Sequence, residues 1–161
     1  HRQSSAASDV YKRQVEIVLY QPEIAGNVGA IIRLSANSGI SLNLIKPFGF
    51  ELQENKIRRA GLDYHDLSNT KTYESWDEFK ELNNKKSICC LSSKGSESFW
   101  DTDLNYYDFL LFGPESIGLP DEIISNHETI TIPMKENSRS INLANSVGIV
   151  VFESLRQASV N

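Results

Sequence analysis

Phe109-Leu110-Leu111-Phe112-Gly113-Pro114-Glu115-Ser116-Ile117-Gly118-Leu119-Pro120-Asp121-Glu122-Ile123-Ile124 is the stretch from which the fold follows. Its first four residues form a continuous apolar run, as expected of a strand covered on both faces of a parallel sheet. Gly113-Pro114 ends that run. Leu119-Pro120 then opens a helix, because proline is tolerated in a first helical turn.

The same alternation extends in both directions. Val15 to Tyr20, β-branched or apolar at most positions and broken only by Glu16, reads as a strand. The segment Gly26 to Gly39 reads as a helix of about three turns, with Asn27 suited to the N-cap and Gly39 to the C′ position. Leu42 to Ile45 is a second strand, ended by Pro47 and Gly49, and Lys56-Ile57-Arg58-Arg59-Ala60 is a short basic helix stopped by Gly61. Ser75, with Glu78 three residues on, is a capping box for a helix to Leu82. Ile88-Cys89-Cys90-Leu91 and Thr129-Ile130-Thr131-Ile132 read as further strands, and a last helical segment runs from Ser140 to about Gln157. This alternation predicts a single α/β domain over residues 15–161, with a mainly parallel sheet and helices on both faces. By pattern alone the sheet would be open and flavodoxin-like.

Nine of the fifteen positions from Ile141 to Leu155 are apolar. A helix that apolar must be covered on nearly all sides. A second subunit would supply the cover; the alternatives are a central helix, or a strand through Ile149-Val150-Val151.

The chain has 161 residues, 40% of them hydrophobic and 23% charged, which is ordinary globular usage. Residues 1–14 show no apolar period and no signal-peptide core, and read as a non-native or disordered leader. The net charge is −5; the leader carries three basic side chains and one acidic, leaving −7 on the rest. That argues against an indiscriminate nucleic-acid binder, but not against a local basic patch. Two adjacent cysteines, Cys89 and Cys90, are not a disulfide framework, and no Cys/His cluster suggests zinc. The expected setting is a reducing cytoplasm, with no membrane span. Neither a GxGxxG nor a P-loop occurs, and Gly113-Pro114-Glu115-Ser116-Ile117-Gly118 fails the spacing of a hydrolase elbow.

What remains is three loops rich in Gly, Asn, Ser and Arg at strand ends, where α/β proteins place ligands. They are Asn27 to Arg33, Leu111 to Pro120, and Ile132-Pro133-Met134 with Ser138-Arg139-Ser140-Ile141-Asn142-Leu143-Ala144-Asn145. In this order and at these separations they resemble the three motifs of the SPOUT class of S-adenosylmethionine-dependent RNA methyltransferases. The short chain and Arg58-Arg59-Ala60-Gly61-Leu62-Asp63-Tyr64-His65 are similar to the small subfamily that 2′-O-methylates the tRNA wobble nucleotide. The alternatives are another tRNA or ribosomal RNA site, or a binding-only RNA module.

The resemblance implies a C-terminal trefoil knot, an obligate homodimer, and S-adenosylmethionine as methyl donor without a metal. It places Leu91, Gly113, Ile132 and Ser140 around the donor, Gly113 being needed where backbone must touch the ligand. It assigns catalysis to Arg33, assisted by Asn27, Ser140, Asn142 and Glu115. A guanidinium is a poor base near neutral pH, so Arg33 would act by clamping a phosphate and orienting the ribose. A surface salt bridge is the plain alternative for Arg33. Contact with tRNA would fall to Arg139, Lys56, Arg58 and Arg59, with Lys135 beside them. Tyr64, His65 or Phe152 would lie against an unstacked base.

Overall fold

Strand β1, Glu16–Tyr20, sends successive side chains to opposite faces, and this period of two sorts the core into two layers. Ile17 and Leu19 join Leu42, Leu44, Cys89, Leu91, Leu110 and Phe112 in one layer. Val18 joins Ile45, Cys90, Phe109 and Leu111 in the other. The computed structural model describes residues 14–51 and 66–160. The expected leader (save Gln14) and basic helix, with Lys56, Arg58, Arg59, Tyr64 and His65, lie outside the described residues.

The remaining strands are β2 (Leu42–Ile45), β3 (Thr70–Tyr73), β4 (Ile88–Leu91), β5 (Glu97–Ser98), β6 (Phe109–Phe112) and β7 (Glu128–Thr131). They form one seven-stranded sheet in the order β3-β2-β1-β6-β4-β7-β5, every adjacent pair parallel. Ile17 stands beside Leu42 on one side and Leu110 on the other, and Leu110 in turn beside Cys89. Helices α1 (Ala25–Ser38) and α4 (Leu143–Val160) cover the first layer with Val28, Ile31, Ile32, Val147, Val150 and Val151. Helices α2 (Trp76–Leu82) and α3 (Asp121–Ser125) cover the second with Phe79 and Ile123.

Parallel strands between two helical layers are as expected, but the open flavodoxin-like order is not. In that order β4 would lie beside β1; instead β6 takes that place and β4 lies outside it. The polar edge strand β3 and the two-residue edge strand β5 also escaped sequence reading. An edge strand buries little, so it carries neither an apolar run nor a clean alternation.

Helix α1 begins at Ala25, two residues before Asn27. Its N-cap is Ile24, which offers no side-chain cap. Gly39 ends it at φ 77°, as expected of a left-handed C′ residue. On α2, Ser75 Oγ accepts from Glu78 N at 3.0 Å, as a capping box requires. The return bond comes from Glu74 N, 2.6 Å from Glu78 Oε2, so the box closes one residue early. Helix α4 is covered less than its composition suggested. Leu143, Val147, Val150, Val151 and Ser154 are buried on one face, whereas Ile149 and Phe152 are 41% and 53% exposed. No helix among the described residues is long and apolar enough to cross a membrane.

Both cysteines are buried in the sheet, and loss of hydration pushes each thiol up to about 12 from an ordinary 9.0. Neither should react with a thiol reagent at pH 7.5 until the protein unfolds. A folded-state value above the unfolded one stabilises fully below the unfolded value, and that stability is lost as pH rises toward the folded one. The urea midpoint should therefore fall between pH 9 and 12, and fall less in a Cys89→Ala/Cys90→Ala variant. An equal fall in both proteins would contradict this.

Candidate functional site

In a parallel sheet the carboxyl ends of the strands open on the same edge, and the loops after them form the crevice. Here the turn after β4, the loop after β6 and the long connection from β7 to α4 enclose a cleft of about 450 Å³. The start of α1 closes it with Ile24 and Asn27. That volume suits a small organic ligand.

Seven residues singled out from the sequence line this cleft: Asn27, Leu91, Gly113, Glu115, Ile132, Ser140 and Asn142. Arg33 and Arg139 do not line it. Arg33 lies on the exposed face of α1, six residues past Asn27 and so about 9 Å along the axis. Arg139 is exposed in the β7–α4 connection.

The lining is tied together by one chain of hydrogen bonds. Glu115 Oε1 accepts from Glu23 N at 2.9 Å, and Oε2 accepts from Ile24 N at 2.6 Å and Asn27 Nδ2 at 3.2 Å. Asn27 Oδ1 accepts from Asn142 Nδ2 at 3.0 Å. Asn142 Oδ1 in turn accepts from Asn145 N at 3.1 Å, which caps α4. Glu115 thus supplies the cap that α1 lacks locally, placing a carboxylate at the positive end of that helix. The helix it serves begins about 90 residues earlier in the chain.

A second tie was missed altogether. Glu23 Oε1 accepts from Ser116 N at 2.9 Å and Ser116 Oγ at 2.6 Å, and these bonds lower its pKa from the ordinary 4.5. No local pattern marks Glu23, because its partner is 93 residues away.

Gly113 lines the cleft and is also constrained from within the chain. A Cβ there would stand 2.4 Å from Leu119 N and 2.5 Å from Gly118 C, both backbone atoms that cannot swing aside. The loop folds back on Gly113 through Gly118 at φ 70°, closed by Gly118 N donating to Pro114 O at 3.0 Å. Gly113→Ala should therefore open this loop, costing about 1–3 kcal/mol of stability by overpacking. The check is the urea midpoint together with donor binding; an unchanged midpoint would show that the loop accommodates the methyl group.

The charge in the cleft is sparse. Among the described residues lining it, Glu115 is the one acidic side chain and Lys94 the one basic. Lys94 Nζ reaches Asp121 Oδ1 at 2.7 Å. Sequence reading passed over Lys94, although its place just after β4 was the available signal. No group of three or more His, Cys, Asp or Glu among the described residues could hold a metal ion.

The model of the family described as SpoU rRNA Methylase matches residues 14–152. A tRNA (cytidine(34)-2′-O)-methyltransferase of Saccharophagus degradans is 44% identical over 144 residues, covering 88% of this chain and 94% of the relative. The protein of the same name from Escherichia coli K12 is 42% identical over 146 residues, covering 89% and 93%. A solved structure described as giving structural insights into the 2-OH methylation of C/U34 on tRNA superposes with a TM-score of 0.84. It is 39% identical and covers 91% of this chain and 97% of the other. Residues of all three motifs meet in one cleft, although the first motif, Asn27 to Arg33, lies within α1 and not in a loop. With a family match running through the whole described sheet, the chain belongs to the SpoU rRNA methylase family.

Proposed function

We propose that this protein transfers a methyl group from S-adenosylmethionine to the ribose 2′-OH of the wobble nucleotide, C34 or U34, of tRNA. The observation that carries this reading is the meeting of residues from three distant motifs in one cleft. The relatives' shared name and near-complete mutual coverage narrow it to the wobble ribose.

The lining fits the donor. Leu91, Leu119 and Ile132 offer apolar walls for a purine, while Ser140 and loop backbone offer hydrogen bonds for a ribose. When bound, S-adenosylmethionine would supply a sulfonium-activated methyl group for the ribose 2′-oxygen, leaving S-adenosylhomocysteine, with the hydroxyl proton released to solvent. The chain's own residues supply position. Glu115 accepts from the Glu23 and Ile24 amides and from Asn27 Nδ2, so its task is to hold the loop after β6 against the start of α1. Asn27 and Asn142 fix each other at the cleft wall.

Arg33 stands outside its own chain's cleft, so we assign it to the cleft of a second copy in a homodimer. Exposed Ile149 and Phe152 on α4, which packs against α1, offer that copy an apolar surface. Phosphates of the tRNA would meet Lys135 and Arg139. Both are exposed and flank a turn held by Asn137 at φ 62° and by Ser138 N donating to Lys135 O at 3.2 Å. The same reading makes residues 15–161 one domain, threads the β7–α4 segment through the preceding loop as a trefoil knot, and puts the protein with its tRNA in the cytoplasm. Incubation with tRNA and methyl-labelled donor should label the wobble ribose. Label confined to another nucleotide would reject the substrate, and no label would reject the activity.

A further inference from the structure

The turn after β4, Ser92-Ser93-Lys94-Gly95, combines a fixed base with a free arm. Ser92 N donates to Ile130 O at 3.0 Å, Gly95 N to Ser92 O at 3.1 Å, and Lys94 N to Ser92 Oγ at 3.1 Å. A Cβ on Gly95 would lie 2.5 Å from the Ile130 carbonyl carbon, so the turn rests directly on the backbone of β7. From that base the Lys94 side chain lines the cleft, and its ammonium rests on Asp121 at the rim.

The pair is built to be exchanged. Its side chains are 63% and 86% exposed, and ion pairs so well hydrated contribute little stability. The ammonium already meets a carboxylate at this spot, Asp121 Oδ1 at 2.7 Å, and that bond lowers the Asp121 pKa from its ordinary value. Asp121 opens α3 two residues after Leu119, which lines the cleft. The methyl donor carries one negative group, its α-carboxylate. The one acidic side chain of the lining, Glu115, is already engaged and would repel it. A single ammonium within reach of the cleft is what such a group needs.

We propose that Lys94 binds the α-carboxylate of the donor, its ammonium leaving Asp121 to do so, with Asp121 keeping that ammonium at the rim between turnovers. This rests on the methyl-transfer reading above and adds to it the residue that recognises the amino-acid end of the donor. The device explains how a mostly neutral cleft distinguishes the full donor from its nucleoside part.

Two ligands separate the contributions: S-adenosylhomocysteine, which keeps the amino-acid tail, and methylthioadenosine, which lacks it. Calorimetric titration of the purified protein should show Lys94→Met weakening S-adenosylhomocysteine about tenfold, as loss of one charge-assisted hydrogen bond implies. Methylthioadenosine should bind both proteins equally, and Lys94→Arg should recover most of the affinity. Equal weakening of both ligands, or of neither, would overturn the role of Lys94. A raised KM for tRNA with both ligands unaffected would likewise overturn it, and move the lysine to the RNA surface. If the unmodified protein binds neither ligand, the methyl-transfer reading itself fails.

Discussion

Replacing Arg33 with alanine should lower the methylation rate at least about 100-fold, the typical cost of removing one group that stabilises developing charge, while the melting temperature stays unchanged. The two halves of this expectation come from the same fact. Arg33 lies on the exposed face of α1, outside both core layers, and no partner for it is seen among the described residues. Removing it takes no contact from the described residues, and surface substitutions of that kind usually stay within about 0.5 kcal/mol. Its contribution to the reaction is expected through a group outside the described residues of its own chain. Mixing tests whether that is a second copy: Arg33→Ala and Gly113→Ala proteins, if each is strongly impaired alone, should together exceed the sum of their separate activities. A two-fold dimer pairs the intact cleft of one subunit with the intact arginine of the other. No recovery in a mixture shown to exchange subunits would place Arg33 in its own chain's site, and full activity of Arg33→Ala would remove it from the reaction.

Glu115→Ala should have the opposite signature, lowering stability and donor binding together. The carboxylate receives three hydrogen bonds and caps a fourteen-residue helix that has no cap of its own. Bonds to a charged group contribute about 1.5–3 kcal/mol each when buried. These are partly exposed, so a net loss of about 2–3 kcal/mol is the reasonable scale. For a domain of this size that corresponds to roughly 5–10 °C in melting temperature. Donor affinity should fall more than about tenfold, because the loop after β6 and the start of α1 are released together. Glu115→Gln, which keeps one acceptor oxygen, should lose about half as much stability. A melting temperature within about 1 °C of the unmodified protein would refute the capping role.

The contrast between these residues marks how far sequence reading reached. Arg33 and Glu115 both belong to the quoted loops and were both assigned to catalysis. The folded chain separates them, giving Glu115 a structural task at the cleft wall and leaving Arg33 on the surface. Asn27 shows the same limit. It was read as the cap of α1 because asparagine suits that position, yet it lies inside the first turn with its side chain shared between Glu115 and Asn142. At Gly113 the sequence suggests close approach to a ligand, and folding adds an obstruction no local pattern shows, the chain's own backbone at Gly118 and Leu119.

What residues 15–161 determine without any coordinates is whatever depends on near neighbours. Continuous apolar runs mark the central strands, serine and glycine bound the helices, and the strand-end loops stand out by composition. Strand order, the edge strands, the Glu115–Asn27–Asn142 chain and the Lys94–Asp121 pair were settled only by folding. Each depends on groups that meet because sheet and helices carry their loops to one edge. A hydrogen bond between residues 88 to 115 positions apart leaves no periodicity in the chain and no turn signal to read.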